Sequence, residues 1–409
     1  MSRSEQPMGP PVRSHTLILC FLVAICEGVD LQAAGVAAAG LAAQYHPSPV
    51  ALGMFFSAST LGLLLGALIG GRISDHIGRK SVLVVSIAAF GVFSLLTPLG
   101  WDMTSLCGAR LLTGLGLGGA FPNLIALVSE AAPANQRRAQ VAAVYAANPL
   151  GGALISGMSL LISKGHWSWI FIAGGVLPLC LTPVIALRLA ESPAFLGLSQ
   201  ERLAAAAGPN VRAISALFTQ GRALRTLLLW SSFFLGLLTL YLLLNWLPTL
   251  LTQRGLSRAT TGMAQIAFNV GGAIAALMLG RAFESRRSTA TVVIVFLAAP
   301  VLLAALAQAS ASVSLILLIV LALGCAVMAS QAYLYGAAPI GYPTEVRGFG
   351  VGAAIAAGRL GSIVGPALAG FLSAAGHNSS QLLLDLVPIA TACGVLAIIL
   401  ALRTSARSP

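Results

Sequence analysis

The sequence predicts an all-α membrane protein in which twelve transmembrane helices form two six-helix bundles. Three observations support this fold class. First, 57% of the 409 residues are hydrophobic and only 8% are charged, whereas a soluble globular domain carries about 25% charged residues. Second, the apolar residues fall into twelve stretches, each long enough to cross the ~30 Å hydrocarbon core of a bilayer. Third, motifs of the first half recur in the second half at a nearly constant offset.

Short polar connections separate the expected spans, except between the sixth and the seventh. There a polar segment, 191–224, acts as a linker between an N-terminal bundle (1–190) and a C-terminal bundle (225–409). The spans are expected at 15–40, 50–71, 81–100, 105–130, 139–162, 168–190, 225–250, 259–281, 289–309, 312–340, 349–375 and 383–403.

The two halves contain matching motifs. The segment Pro133–Arg137 (PANQR) recurs as Pro343–Arg347 (PTEVR), and Gly151 falls on Gly361, in both cases 210 residues later. A shared offset indicates a parallel duplication of a six-helix unit. In transporters built this way, the substrate site lies between the repeats near the midplane of the membrane.

The distribution of Lys and Arg predicts the orientation. Eighteen of these residues fall on the side that carries both termini and the linker, against three on the other side. Basic loops stay in the cytoplasm, so we expect both termini and the linker in the cytoplasm. The net charge of +12 then follows from topology and attraction to anionic lipid, and it implies no nucleic-acid partner.

Two carboxylates interrupt the first span. Glu27 and Asp30 are the only formal charges in residues 17–40, so both are expected near the middle of the membrane. A step of three residues is about 300° of rotation, which places both acids on one face. Burying Asp there costs roughly 2.5–3.5 kcal/mol, and neighbouring carboxylates resist joint ionisation. The pair indicates a pathway for protons or a polar substrate, although one acid alone is also compatible with helix packing.

A second intramembrane charge, Arg359, lies about ten residues inside the eleventh span. The second half offers no acid within the membrane to neutralise it. A buried, unpaired guanidinium suits the fork-shaped recognition of a substrate carboxylate. Ion pairing across the halves with Glu27 or Asp30 is the alternative.

Polar and aromatic side chains in three spans are candidates for the lining of a substrate site. An aromatic belt at the membrane interface explains some of them equally well, and Trp246 in particular suits an anchor at the outer face. The candidates are Tyr145 and Asn148 in the fifth span, Tyr241, Asn245 and Trp246 in the seventh, and Gln331, Tyr333 and Tyr335 in the tenth.

The loop after the second span, Gly71–Lys80 (GRISDHIGRK), resembles the signature of the major facilitator superfamily. The resemblance covers this motif, the twelve spans and the repeat. It implies the major facilitator fold and a gating ion pair on the cytoplasmic side, formed by Asp75 and Arg79. The second copy keeps Glu284 but has no Gly-Arg pair after it. The candidate gating residues are Gly71, Asp75, Gly78, Arg79, Glu284 and Arg347.

The fourth span opens with Arg110 followed by Gly114, Gly116 and Gly118, which resembles the motif of the fourth helix in this superfamily. There the arginine takes part in proton coupling, and the first and fourth helices are neighbours. The resemblance therefore implies that one of the two acids in the first span is the counter-charge of Arg110. Snorkelling of the arginine to the interface is the alternative.

A narrower resemblance rests on three segments: EGVDLQ around Glu27 and Asp30, NWLP at 245–248, and GRLG at 358–361. Together they are similar to the aromatic acid:proton symporters, and most of all to the hydroxyphenylpropionate branch. Glu27 stands where the wider group usually has Asp. The resemblance implies a monomer without cofactor or metal that imports a small aromatic carboxylate, 3-(3-hydroxyphenyl)propionate or a close relative, together with protons.

Two alternative functions require motifs that can be compared with this sequence. A drug:proton antiporter of the same superfamily carries a Gly-Pro-x-x-Gly-Gly motif in the fifth helix, but residues 148–152 read NPLGG, which lacks the first glycine and is one residue short. A membrane-embedded enzyme requires a nucleophile–base pair or a metal cluster. The five histidines lie at span ends or in loops, and the six cysteines stand singly, so no such constellation is visible.

Overall fold

The computed structural model of the chain describes residues 12–133, 136–162, 166–196, 211–219, 221–282, 288–309, 312–342 and 344–405. These residues form helices joined by short connections, and twelve of the helices are long and apolar enough to cross a membrane. The all-α, twelve-helix prediction is confirmed. The spanning helices are α1 (Val12–Tyr45), α2 (Pro49–Ile77), α3 (Arg79–Leu96), α4 (Met103–Ala131), α5 (Arg137–Leu161), α6 (Ser168–Arg188), α7 (Ala223–Gln253), α8 (Arg258–Ala282), α9 (Ser288–Gln308), α10 (Val313–Ala337), α11 (Thr344–Ala374) and α12 (Ser379–Ser405).

Short polar motifs begin two of the helices. The hydroxyl of Ser48 accepts a hydrogen bond from Ala51 N–H at the start of α2, where Pro49 takes the first helical position. Asp102 and Ser105 form a reciprocal capping box at the start of α4, an arrangement that satisfies N–H groups lacking intrahelical partners. The hydrogen bonds from Ser105 hold the pKa of Asp102 below its ordinary value.

Successive spanning helices run in opposite directions, so both ends of the chain lie on one side of the membrane. We call this side the terminal face and the other side the distal face. Two short helices, Pro193–Leu196 and Val211–Phe218, belong to the linker between α6 and α7 on the terminal face. The linker boundaries stay a prediction.

The two halves repeat the same helix contacts. In the first half, α2 and α4 cross at Gly62 and Gly114, where an added Cβ would overlap the backbone of the facing helix. In the second half, α8 and α10 cross in the same way at Gly271 and Gly324. The offsets are 209 and 210 residues, which agree with the spacing of the sequence motifs. Small residues at these positions let the backbones approach closely.

The matched pair Gly151 and Gly361 occupies a second repeated crossing. Gly151 of α5 lies against the carbonyl of Ile25 in α1, and Gly361 of α11 lies against the carbonyl of Phe234 in α7. The packing between the halves is also symmetric, because α2 packs on α11 as α8 packs on α5. The molecule therefore has a pseudo-twofold axis that runs between α1 and α7.

Hydrogen bonds join the two halves in the distal part of the membrane. Ser57 of α2 donates to the carbonyl of Ile363 in α11 at 2.7 Å. On the other side of the axis, Arg258 at the start of α8 donates to the carbonyl of Ser159 near the end of α5 at 3.1 Å. The halves are thus closed against each other toward the distal face.

One sequence expectation about charge is wrong. The second half does contain an acid within a spanning helix, because α12 begins at Ser379 and includes Asp385 in its second turn. Its carboxylate lies 2.7 Å from His377 Nδ1 near the distal face. Asp385 therefore has its own partner, and Arg359 is not that partner.

Candidate functional site between the two halves

Arg110 and Asp30 form a buried ion pair inside the first half. Nη1 of Arg110 lies 3.0 Å from both carboxylate oxygens of Asp30, and both side chains are 0% exposed. Nη2 donates to the carbonyl of Asp30 at 3.0 Å and to the hydroxyl of Ser59 in α2 at 3.2 Å. Ser94 of α3 donates to the Asp30 carboxylate at 2.8 Å, and the Phe171 ring of α6 lies 5.5 Å from the guanidinium carbon. The pair thus joins five helices.

This contact decides between the two predicted counter-charges. Asp30 pairs with Arg110, which is buried rather than snorkelling to the interface. The sequence could not make this choice because the deciding donors, Ser59 and Ser94, lie on other helices. Asp30 is held by an arginine and a serine at once, whereas Glu27 is not.

Glu27 has a different environment. It is 2% exposed, its Oε1 is buried, and its carboxylate has no hydrogen bond or ion pair within the described residues. The charge that acts on it from outside its own half is that of Arg359. An ionised carboxylate without compensating hydrogen bonds is costly in a poor dielectric, which makes Glu27 the candidate of the two acids for binding a proton.

Arg359 lies at the midpoint of α11, yet it is half-buried rather than sealed. Its Nη1 donates to the hydroxyl of Tyr241 in α7 at 2.7 Å, and its guanidinium carbon lies 5.9 Å from the centre of that ring. This is the guanidinium's one hydrogen bond within the described part of the chain. The remaining N–H groups are therefore available to a ligand.

A line of four aromatic rings crosses from one half to the other near Arg359. Phe121 of α4 packs on Tyr145 of α5 at 5.3 Å between ring centres, Tyr145 packs on Tyr335 of α10 at 5.7 Å, and Tyr335 packs on Phe233 of α7 at 5.1 Å. Both tyrosines interact electrostatically with Arg359. The line places apolar ring faces beside a guanidinium. This combination of an apolar surface and a positive charge suits the binding of an aromatic anion.

Two predicted lining residues of α7 point elsewhere. The amide of Asn245 donates to the carbonyl of Tyr241 in its own helix at 2.8 Å. The indole of Trp246 is 1% exposed, donates to the carbonyl of Pro366 at 3.0 Å and packs on Phe56 of α2 at 5.5 Å. Trp246 is therefore not an anchor at the outer face; it joins α7 to α2 and α11.

The predicted residues of α10 divide between two faces of that helix. Tyr333 packs on Phe296 of α9 at 5.7 Å, whereas Tyr335, about 200° further around the helix, joins the aromatic line. Gln331 shares the face of Tyr335, and its buried amide forms no hydrogen bond within the described residues. It lies against Gly236 of α7, where an added Cβ would come 2.6 Å from Nε2.

Sequence reasoning missed a buried amide cluster that joins the halves. Gln32 of α1 exchanges two hydrogen bonds of 2.7 Å with Asn269 of α8 and accepts a third from Gln265 at 3.0 Å. Gly152 of α5 leaves the space that the Gln32 amide fills. The available signal was a pair of amides four residues apart, on one face of an apolar helix.

The signature loop after α2 forms a polar cluster on the terminal face. Oε1 of Glu191 accepts hydrogen bonds from the backbone N–H groups of Arg79 and Lys80, both at 3.0 Å, at the start of α3. The Arg79 side chain pairs with Glu130 of α4. Gly78 has a φ of +94°, and a Cβ there would overlap the Glu191 carboxylate, so this position requires glycine.

The other predicted gating residues are not joined in this structure. Asp75 and Arg347 are exposed, and Arg79 takes Glu130 rather than Asp75 as its partner. A Cβ added to Gly71 would meet open space. Glu284 lies outside the described residues. A gating role for Asp75 and Arg347 stays a prediction.

Comparison with known proteins identifies the family. The model of the Major Facilitator Superfamily matches residues 20–366 of the chain. The chain belongs to the major facilitator superfamily. The solved structure of a D-xylose-proton symporter superposes with a TM-score of 0.74 at 19% identity, covering 94% of this chain and 95% of the other. This likeness confirms the major facilitator fold.

Relatives in sequence cover nearly the whole of this major facilitator protein. It is 40% identical over 394 residues to the 3-(3-hydroxy-phenyl)propionate transporter of Escherichia coli (strain K12), which covers 96% of this chain and 95% of the relative. It is 32% identical over 406 residues to the gallate transporter of Pseudomonas putida, with coverage of 93% and 90%. The relatives and the fold are those of membrane transporters, not of enzymes.

Proposed function

We propose that this protein is a secondary transporter that imports a hydroxylated aromatic carboxylate, 3-(3-hydroxyphenyl)propionate or a close relative, together with protons. It would act in a bacterial inner membrane with both termini in the cytoplasm. The observation that carries the proposal is the environment of Arg359. Its guanidinium lies at the middle of a spanning helix, is accessible, forms one hydrogen bond with the described residues and has the aromatic line beside it. The relative of 40% identity supports the choice of substrate.

The substrate carboxylate binds the free edge of Arg359. Guanidinium groups present five N–H donors in a planar fork that fits a carboxylate, and the Nη1 bond to Tyr241 holds the fork in place. The aromatic ring of the substrate packs against the rings of Tyr145 and Tyr335. Offset and edge-to-face ring contacts contribute about 0.5–1.5 kcal/mol beyond the area that they bury.

Proton coupling divides between the two acids of α1. Asp30 forms an ion pair with Arg110 and accepts a hydrogen bond from Ser94, so its carboxylate already has partners inside the first half. Glu27 carries the proton, since it has no such partners and interacts with the charge of Arg359. When a substrate carboxylate binds Arg359, it cancels the positive charge that favours ionised Glu27, so substrate binding and proton binding favour each other.

Alternating access follows from the packing between the halves. The distal contacts at Ser57, Gln32 and Arg258 represent a state closed to the outside. In the opposite state these bonds break, and the terminal face closes around the signature loop, where the exposed Asp75 gains partners. Pseudo-symmetric halves that rock about a midplane site give both states with little change inside each half.

Reconstituted protein provides the test. When the external medium is more acidic than the vesicle interior, vesicles should accumulate labelled 3-(3-hydroxyphenyl)propionate, and an uncoupler should abolish the accumulation. Adding substrate without a gradient should make the external medium more alkaline, because proton and substrate enter together. Acidification of the medium would instead indicate exchange of substrate for protons, as in a drug:proton antiporter, and would refute the symport.

A further inference from the structure

The two central rings of the aromatic line are tyrosines, whereas the two outer rings are phenylalanines. Tyr145 and Tyr335 come from opposite halves of the protein and touch each other at 5.7 Å between ring centres. Phe121 and Phe233 support them from behind at 5.3 Å and 5.1 Å. Four phenylalanines would provide the same apolar wall, so packing alone does not explain the two phenol hydroxyls.

Neither of these hydroxyls has a protein partner. Tyr145 and Tyr335 are half-buried, and their O–H groups form no hydrogen bond with any residue that the structure describes. Tyrosine hydroxyls inside a protein usually find such a partner. The third tyrosine near Arg359 illustrates the contrast, because Tyr241 accepts a hydrogen bond from the guanidinium at 2.7 Å.

We infer that Tyr145 and Tyr335 bind the ring hydroxyl of the transported acid and so select hydroxylated over unsubstituted aromatic carboxylates. The inference rests on the function proposed above. It assigns one end of the substrate to Arg359 and the other to a pair of phenols, one from each half. The substrate then contacts both halves at once, as a ligand that favours their closure must do.

The chemistry of the two ends favours this orientation. An ionised carboxylate only accepts hydrogen bonds, and Arg359 supplies donors for it. A ring hydroxyl both donates and accepts, and a phenol is a partner that does the same. A site built to bond a substrate hydroxyl also rejects the analogue without it, since the buried polar groups are then left unpaired.

The test compares two acids that differ by one hydroxyl, 3-(3-hydroxyphenyl)propionate and 3-phenylpropionate. Dissociation constants are measured by calorimetry on purified wild-type protein and on Tyr145→Phe and Tyr335→Phe, which keep the ring contacts. Tyr45→Phe is the matched control, because its hydroxyl donates to the carbonyl of Gly100 near the distal face at 2.7 Å. Apparent melting temperatures verify that each variant is folded.

Each of the two site variants should bind the hydroxylated acid about 3- to 10-fold more weakly, while its affinity for 3-phenylpropionate changes less than about twofold. The Tyr45→Phe control should bind both acids like the wild type. Equal weakening for both acids, or no change for either, would overturn the assignment while leaving the proposed transport intact. If the wild-type protein binds neither acid, the proposed function fails and this inference fails with it.

Discussion

Glu27 and Asp30 have different environments, so we predict that removing each charge has a different effect on the stability of the protein. Asp30→Asn leaves the guanidinium of Arg110 buried at 0% exposure without a counter-charge. Removing one partner of a buried pair costs about 3–5 kcal/mol, which at about 2–4 °C per kcal/mol for a bundle of this size corresponds to a fall in melting temperature of about 6–20 °C. Glu27→Gln removes a carboxylate that has no hydrogen bond within the described residues, so its stability should stay close to that of the wild type.

The two variants should also differ in transport. Glu27→Gln should abolish accumulation driven by a proton gradient but retain the exchange of internal for external substrate, because exchange requires no net proton movement. Asp30→Asn should impair both activities, since the helices that carry the site lose their common polar contact. Uptake and exchange are measured in the same batch of vesicles, and stability is measured on detergent-solubilised protein.

A double variant separates the loss of a pair from the loss of a charge. In Asp30→Asn/Arg110→Gln neither charge remains, and replacement of both partners of a buried pair is often near neutral. The double variant should therefore be more stable than Asp30→Asn alone. If it were no more stable, or if Glu27→Gln destabilised the protein as much as Asp30→Asn, the assignment of separate roles would be refuted.

Three further predictions concern other parts of the protein. Arg359→Lys keeps the charge but loses the planar fork, so substrate affinity should fall about tenfold. Arg254→Lys is the control, because Arg254 lies near the distal face and donates to backbone carbonyls there; it should leave substrate affinity unchanged. Asn269→Leu leaves the side-chain N–H groups of Gln32 without their acceptor at a cost of about 1–3 kcal/mol, and spin-label distances should show a wider distal face. Glu191→Ala should lower the melting temperature through the loss of a helix cap worth about 0.5–2 kcal/mol, without a change in substrate affinity.

The sequence contained most of the fold. Apolar length and composition were sufficient for the twelve helices, because a bilayer permits few other structures. The offset of about 210 residues between motifs also anticipated the repeated helix crossings, since Gly151 and Gly361 make equivalent contacts in the two halves. Helix ends were less accurate, and α12 begins at Ser379 rather than at 383.

The candidate site was only partly predictable. The intramembrane charges Glu27, Asp30 and Arg359 were visible as costly residues in apolar stretches, but their pairing depends on side chains of neighbouring helices. Helical periodicity could have separated Tyr333 from Tyr335, because residues two apart face opposite ways. The indole bond of Trp246 to α11 depends on the crossing of two helices, which no local pattern specifies.

The buried pair of Arg110 and Asp30 has a mechanical consequence. Because it fastens α1 to α2, α3 and α4, the proposed rocking of the two halves would carry the first helix with its own half. Glu27 then moves as part of one rigid body, while Arg359 belongs to the other. In the proposed cycle, the distance between these two charges would follow the tilt of the halves, so rigid-body motion alone would change the charge that Glu27 experiences.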